Sequence, residues 1–205
     1  MYEVLHYYLP KTEMSDILER LKLSSYAYFL VSCHREENVD SNVNFKKLIA
    51  LLNALAEKFG QRIIVTTHPR ARKRLEAIGI QLDKRVELHK PFGLTDYIKL
   101  ELSAHATLSD SGTITEESSI LNFPAVTIRQ AHERPEGMDE GTLIMTGLKA
   151  DRVLQSIDIV TSQYSISERQ FRVAQDYNTR NVSKKVLRII LSYTDYVNRT
   201  VWSKP

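Results

Sequence analysis

Cys33 is the only cysteine in 205 residues, so a disulfide framework within the chain is impossible. Glycine and proline are scarce too, at 7 and 6, which leaves few places where a helix or strand must break. Charge of neither sign dominates: 28 basic and 25 acidic residues give a formal net charge of +3. The basic residues are dispersed rather than bunched, which argues against nucleic acid as a partner and leaves room for a small anionic ligand. No apolar run approaches the roughly 20 residues needed to cross a bilayer, so no membrane partner is expected. The opening "MYEVLHYYLPKTEMSD" lacks the basic start and apolar block of a signal peptide, and a cytoplasmic location is expected. The sequons at Asn181 and Asn198 then read as chance matches. His6, His89 and His105 show no metal spacing, and H-E-x-x-H and C-x-x-C are missing, so no metal is expected. The G-x-G-x-x-G and P-loop signatures are absent as well, and with them support for NAD or ATP sites of those kinds; no cofactor is expected.

What is present is 42% hydrophobic residues, enough for a real core, in a regular pattern. "TEMSDILERLKL" has helical spacing at Ile17, Leu18 and Leu21, and "YAYFLVSC" is a short apolar strand. After the polar "HREENVDSN" comes an amphipathic helix, "NFKKLIALLNALAEKFG". Its stripe is Leu48, Leu51, Leu52, Leu55 and Phe59, and Gly60 stands at the terminating position. The unit then recurs. "RIIVTTH", "RVELH", "ATLSDS" and "AVTIR" read as strands, and "RARKRLEAIG", "TDYIKLELSAH" and "TITEESSILN" as the helices between them. A charged loop, "QAHERPEGMDEG", precedes "TLIMTG", and "ADRVLQSIDIVTSQ" is again helical. Strands alternating with helices predict an α/β fold, a Rossmann-like parallel sheet covered on both faces. A long last helix, "NVSKKVLRIILSYTDYVNRTVW", carries a stripe at Val186, Ile189, Ile190, Tyr193, Val197 and Val201. The plainer expectation is that it covers the sheet of its own domain; the alternative is that part of it packs on another lobe.

In an open parallel sheet, ligands bind beyond the carboxyl ends of the strands. The segments that follow the strands there are His34-Arg35-Glu36-Glu37-Asn38, His68-Pro69-Arg70, Lys90-Pro91-Phe92-Gly93, Ser111-Gly112-Thr113 and Arg129 through Glu136. A helix opening near Thr113 presents unpaired N–H groups and a partial positive charge. Gly112 permits close approach, and Ser111 and Thr113 add hydroxyls, which together suit a phosphate. Glu117 lies on the same side as Thr113, one turn deeper, where a carboxylate suits a pair of neighbouring hydroxyls such as a ribose offers. The plainer reading stays open: Ser or Asp caps the helix and the glutamates favour its first turns. His34 and Arg35 supply donors for phosphate or carboxylate, or else belong to a solvated loop in which Asp40 or Ser41 caps the next helix. Phe92 offers a flat face to a base, or plugs a core gap. Cys33 and His34 point to opposite sides of a strand, so they form no nucleophilic dyad, and Cys33 belongs to the core.

Three of these blocks resemble those of the non-hydrolysing UDP-N-acetylglucosamine 2-epimerases. "SCHREEN" is similar to that family's T-x-H-R-x-E-N, "SDSGTITEES" to its D-S-G-G-x-Q-E-E, and "RQAHERPEG" to its R-x-x-T-E-R-P-E. Ser32, Thr113, Thr115 and His132 depart from the pattern; Thr113 stands where the family has a second glycine. "DSGTITEESSIL", with the "HERPEGM" that follows, is similar to a branch acting on UDP-2-acetamido-2,6-dideoxy-hexoses, on the route to UDP-N-acetyl-L-fucosamine. The resemblance implies the carboxyl-terminal lobe of a two-lobed GT-B-type fold, with the amino-terminal lobe and its catalytic carboxylates missing from this chain.

It implies further that Ser111, Gly112 and Thr113 hold a diphosphate, Glu117 the ribose hydroxyls, and that Phe92 neighbours the uracil. His34 is the implied catalytic residue, beside the phosphate and sugar, with Arg35 in the substrate site. Glu37, Asn38, His68, Glu133 and Arg134 fall at the cleft or at a second, activating UDP-sugar site. The expected organisation is an interlobe connection and leading helix over 1–24, a nucleotide-sugar-binding lobe over 25–180, and a long helix over 181–205. The expected activity is inversion at C2 of a UDP-sugar, within polysaccharide or capsule biosynthesis, by a homodimeric full-length isomerase whose fragment is inactive alone. The competing expectations are a donor lobe of a GT-B glycosyltransferase, a hydrolysing epimerase, and a non-catalytic UDP-binding module.

Overall fold

The computed structural model describes residues 1–67, 74, 81–131 and 133–204. The helix expected at "RARKRLEAIG" lies outside them except for Arg74, and His68 and His132 lie outside them altogether. Among the described residues, six strands form one sheet: β1 (Tyr28–Ser32), β2 (Arg62–Thr66), β3 (Val86–His89), β4 (Ala106–Ser109), β5 (Ala125–Thr127) and β6 (Ile144–Met145). Their order is β3-β2-β1-β4-β5-β6, and every neighbouring pair is parallel. This is the Rossmann-like arrangement that alternating strands and helices predict.

The helices are α1 (Tyr2–Glu13), α2 (Ile17–Arg20), α3 (Glu36–Val39), α4 (Asn42–Phe59), α5 (Leu94–Ser103), α6 (Thr113–Leu121), α7 (Pro135–Asp139), α8 (Ala150–Ser162) and α9 (Val182–Thr200). Alternation along β1 sends its side chains to two cores. Phe29, Val31 and Cys33 pack with the Leu48, Leu51, Leu52 and Leu55 stripe of α4 and with Val153 and Ile157 of α8. Tyr28 and Leu30 pack on the other face, against Ile17 and Leu100. The ends of α4 follow its sequence: Ser41 Oγ accepts from the Asn44 amide at 3.3 Å, and Gly60 closes the helix at φ 65°.

The structure corrects three expectations. "TEMSDILERLKL" is not one helix, because α1 already occupies the residues before Met14 and α2 is a separate turn. Ser15 causes the break: its hydroxyl donates to Asp96 at 2.6 Å and accepts from the Ile17 amide at 3.3 Å, so its side chain competes with the helical ladder. The polar stretch after β1 and the charged loop after β5 each contain a short helix, α3 and α7.

The third correction concerns α9. It does not cover the sheet, and none of its residues is buried. Leu187, Ile190, Leu191 and Tyr193 are all more than half exposed, as is Trp202 beyond the helix end. Among the described residues, no helix is long and apolar enough to cross a membrane.

Because β2 and β3 run out one way from β1 and β5 and β6 run the other way from β4, the sheet reverses between β1 and β4. Their carboxyl ends open a crevice that one side chain ties together. Asp110, fully buried, accepts from the Arg35 amide at 3.0 Å, Asn38 Nδ2 at 3.0 Å, the His34 amide at 3.2 Å and the Cys33 thiol at 3.1 Å. The loop after β1 is therefore fastened to the end of β4. Asp110→Ala strands two amides and the Asn38 side chain, and is expected to cost on the order of 3 kcal/mol in urea unfolding. Ser41→Ala, which removes a single cap, costs about 1 kcal/mol. An Asp110→Ala loss no larger than that of Ser41→Ala would show that the loop holds without the clamp.

Candidate functional site

The crevice at the β1–β4 reversal deepens into a cleft of about 460 Å³. Ser32 and His34 line it from the end of β1, Thr66 and Thr67 from β2, Pro91 and Phe92 from the loop after β3, Tyr97 from α5, and Ser111, Thr113 and Glu117 from the start of α6. Five of the residues singled out in the sequence thus meet in one place: His34, Phe92, Ser111, Thr113 and Glu117.

At the opening of α6, Gly112 is the N-cap, and no side chain caps the helix there. The Ser111 amide donates to Ser109 Oγ at 3.0 Å, and the Thr113 amide to Ser111 Oγ at 3.3 Å, the long end of hydrogen-bond geometry. The hydroxyls of Ser111 and Thr113 are 2.9 Å apart. The amides of Gly112 and Ile114 have no protein partner among the described residues. Asp110 does not cap the helix, since its carboxylate is turned back to the β1 loop.

Over Gly112 lies an ion-pair network from the loop after β5. Glu133 bonds Arg129 with one carboxylate oxygen, which also lies 3.5 Å from Arg35 Nη1. Its other oxygen accepts from Arg134 Nη1 at 2.8 Å, and Arg134 Nε donates to Glu116 at 2.8 Å. Three guanidinium groups therefore converge beside the free end of α6. A methyl group on Gly112 would collide with the Arg134 and Glu133 side chains, so the missing Cβ is what allows this close packing.

His34 is 52% exposed; its Nδ1 lies 3.4 Å from Ser32 Oγ and 3.8 Å from Asp110 Oδ1. That leaves Nε2 as the ring nitrogen without a protein partner among the described residues. Arg35 pairs with Glu37 at 3.4 Å on the exposed rim and does not line the cleft. Asn38 is turned inward and serves Asp110. Phe92 is half-buried, tilted against His89 with ring centroids 5.5 Å apart, and packs at the edge of the core around Tyr28 and Leu30. Phe92 therefore packs at the edge of this core and also lines the cleft.

The deepest part of the cleft is acidic. Burial raises the Glu117 carboxyl above its ordinary range, while the Thr113 hydroxyl partly offsets this. Burial also pushes Tyr97 up, reinforced by the charges of Glu101 and Glu117. Tyr97, Glu101 and Asp110 escape a reading of the sequence alone. Only the position of Asp110, directly after a strand at the reversal point, signals its role.

A family model for UDP-N-acetylglucosamine 2-epimerase matches residues 1–191. The UDP-N-acetylglucosamine 2-epimerase of Methanocaldococcus jannaschii is 31% identical over 140 residues, covering 66% of this chain and 38% of that protein. The structure of UDP-N-acetylglucosamine 2-epimerase from Rickettsia bellii superimposes with a TM-score of 0.87 at 48% identity, covering 98% of this chain and 54% of that one. The M. jannaschii UDP-GlcNAc 2-epimerase in complex with UDP-GlcNAc and UDP gives 0.78 at 26% identity, over 91% and 51%. The chain thus spans about half the length of these structures or less of the relatives it matches. Matched by the family model over most of its length and by these structures over nearly all of its fold, the chain belongs to the UDP-N-acetylglucosamine 2-epimerase family.

Proposed function

We propose that this chain is the nucleotide-binding, carboxyl-terminal lobe of an enzyme that inverts C2 of a UDP-2-acetamido sugar. The observation that carries the reading is the cleft itself: a helix opening with two free amides, flanked by two hydroxyls, stands one turn above a buried carboxyl group. Ser111, Gly112 and Thr113 hold the diphosphate, with Arg35 and Arg134 beside it. Glu117 accepts from the ribose hydroxyls. Phe92 and Tyr97 form the apolar end, toward the uracil. The substrate is UDP-N-acetylglucosamine or, following the motif around Thr113, a 6-deoxy relative.

The chemistry is elimination and readdition. The C1–O bond to UDP breaks as a base takes the C2 proton, leaving a glycal-like sugar. UDP adds back to C1 after C2 is protonated on the opposite face. Negative charge grows on the departing diphosphate, so donors aimed at it act in the transition state more than in the bound substrate. A helix terminus supplies about 0.3–1 kcal/mol of this, up to ~2 when partly buried. The remainder falls to the hydroxyls, the arginines and His34, whose free Nε2 stands beside the leaving group. The base belongs to an amino-terminal lobe that this chain does not include. The exposed apolar face of α9, with the segment 181–205, is the surface that lobe would cover. Glu37 and Glu133, on the exposed rim, face the opening between the lobes, where a second UDP-sugar acts as an activator; His68, also expected there, lies outside the described residues, and the whole enzyme is a homodimer.

Calorimetric titration with UDP tests the assignment. Ser111→Ala removes one hydroxyl donor and is expected to weaken binding about fivefold, from roughly 1 kcal/mol. Glu117→Gln weakens UDP about tenfold and leaves 2′,3′-dideoxy-UDP unchanged. Equal affinity of UDP for both variants and the native chain would place the nucleotide elsewhere.

A second expectation concerns turnover. Incubated with UDP-N-acetylglucosamine in deuterated water, the isolated chain leaves C2 unlabelled, and the enzyme with its first lobe restored labels it. Label at C2 from the isolated chain would show that the base resides here.

A further inference from the structure

Beneath Glu117 lies a second carboxyl group that neither the motifs nor the proposed chemistry uses. Glu101, on α5, is fully buried, and neither of its oxygens has an N–H or O–H partner among the described residues. A buried ionised carboxylate in that state would be severely penalised. Its neighbour is Glu117, whose carboxyl group is close enough for a hydrogen bond but holds only acceptors when ionised. One proton placed between the two resolves this, because two adjacent buried carboxylates cannot both ionise.

Depth decides which group keeps the proton. Glu101 is sealed from solvent, while Glu117 reaches the cleft and also meets the Thr113 hydroxyl. Burial first, then the Glu117 charge, holds Glu101 well above the usual carboxylate range. The groups facing the pair are Tyr97 one turn before Glu101, and Glu116 and Arg134 near Glu117. Glu117 is the one charged group acting on Glu101 among the described residues, so no cation relieves it.

We propose that Glu101 is a positioning residue, a permanently neutral acid that donates a hydrogen bond to Glu117 and holds it, ionised, as the acceptor for a vicinal diol in the cleft. The inference rests on Glu117 binding the ribose, as proposed above, and deepens it. One oxygen of Glu117 is satisfied from below by Glu101. The other side of the carboxylate is left to the ligand, so the acceptor is oriented before the nucleotide arrives. A ligand with both hydroxyls is favoured over one lacking them.

Three measurements decide this. Infrared spectra at neutral pH show a protonated-carboxyl band in the native chain that Glu101→Gln removes. A missing band overturns the proposal outright, whatever binds. In urea unfolding, Glu101 protonated in the folded chain and ionised in the unfolded one means that native stability falls as pH rises above 4.5, the ordinary glutamate value. Glu101→Gln, which cannot ionise, therefore gains on the native chain as pH rises above 4.5, by up to about tenfold in folding constant for each pH unit while the folded carboxyl group stays protonated. A gap that does not grow with pH also overturns it.

In UDP titration, Glu101→Leu removes the donor and weakens binding about tenfold, while Glu101→Gln restores it to within about twofold and 2′,3′-dideoxy-UDP distinguishes neither. If Glu117→Gln weakens UDP and Glu101→Leu does not, this inference fails and the ribose assignment survives. If neither variant matters, the assignment of Glu117 fails first.

Discussion

Where two parallel strands send their crossovers to opposite faces of a sheet, their carboxyl ends part and leave backbone polar groups to be satisfied. In this chain the carboxylate of Asp110 fills that gap, taking two amides, an amide side chain and a thiol from the segment after β1. Everything in the site is placed relative to it. His34 and Arg35 stand where they do because their own amides are held, and Ser111 and Gly112 follow Asp110 directly along the chain. Because Asp110 is engaged inward, it is not used as a cap, and the opening of α6 keeps amides free for a ligand. One residue thus both assembles the crevice and leaves its floor unsatisfied.

The site also separates charge by depth. Arginines gather at the rim around Glu133, and carboxyl groups lie at the base around Glu117 and Glu101. A ligand with a doubly charged middle and a neutral, hydroxyl-bearing end matches that order. A ligand with negative charge at both ends does not. The same arrangement explains why the base of the cleft tolerates two glutamates without a cation: one of them stays uncharged, and burial enforces it.

Much of the fold was legible because it is written locally. The stripe of α4, the Gly60 terminus and the apolar β1 each depend on neighbours a few residues away. The start of α6 at Thr113 and the meeting of His34, Phe92, Ser111 and Glu117 followed from one architectural rule about strand ends. What escaped depends on distant partners. Asp110 bonds residues 72 to 77 positions away, and Ser15 breaks a helix by reaching Asp96, 81 positions away. Glu101 looks like an ordinary polar residue on an amphipathic helix until packing around α5 seals it in. For α9 the stripe was plain, but a stripe does not say what it faces. None of it is buried against its own sheet.

The central claim, that the amides opening α6 receive a pyrophosphate, is tested most directly by following backbone amide resonances while UDP is added. The account predicts saturable shifts largest at Gly112, Thr113 and Ile114, with uridine moving Phe92 and Tyr97 but leaving those three nearly still. Shifts centred on another surface, with the three amides unmoved by UDP, would contradict it.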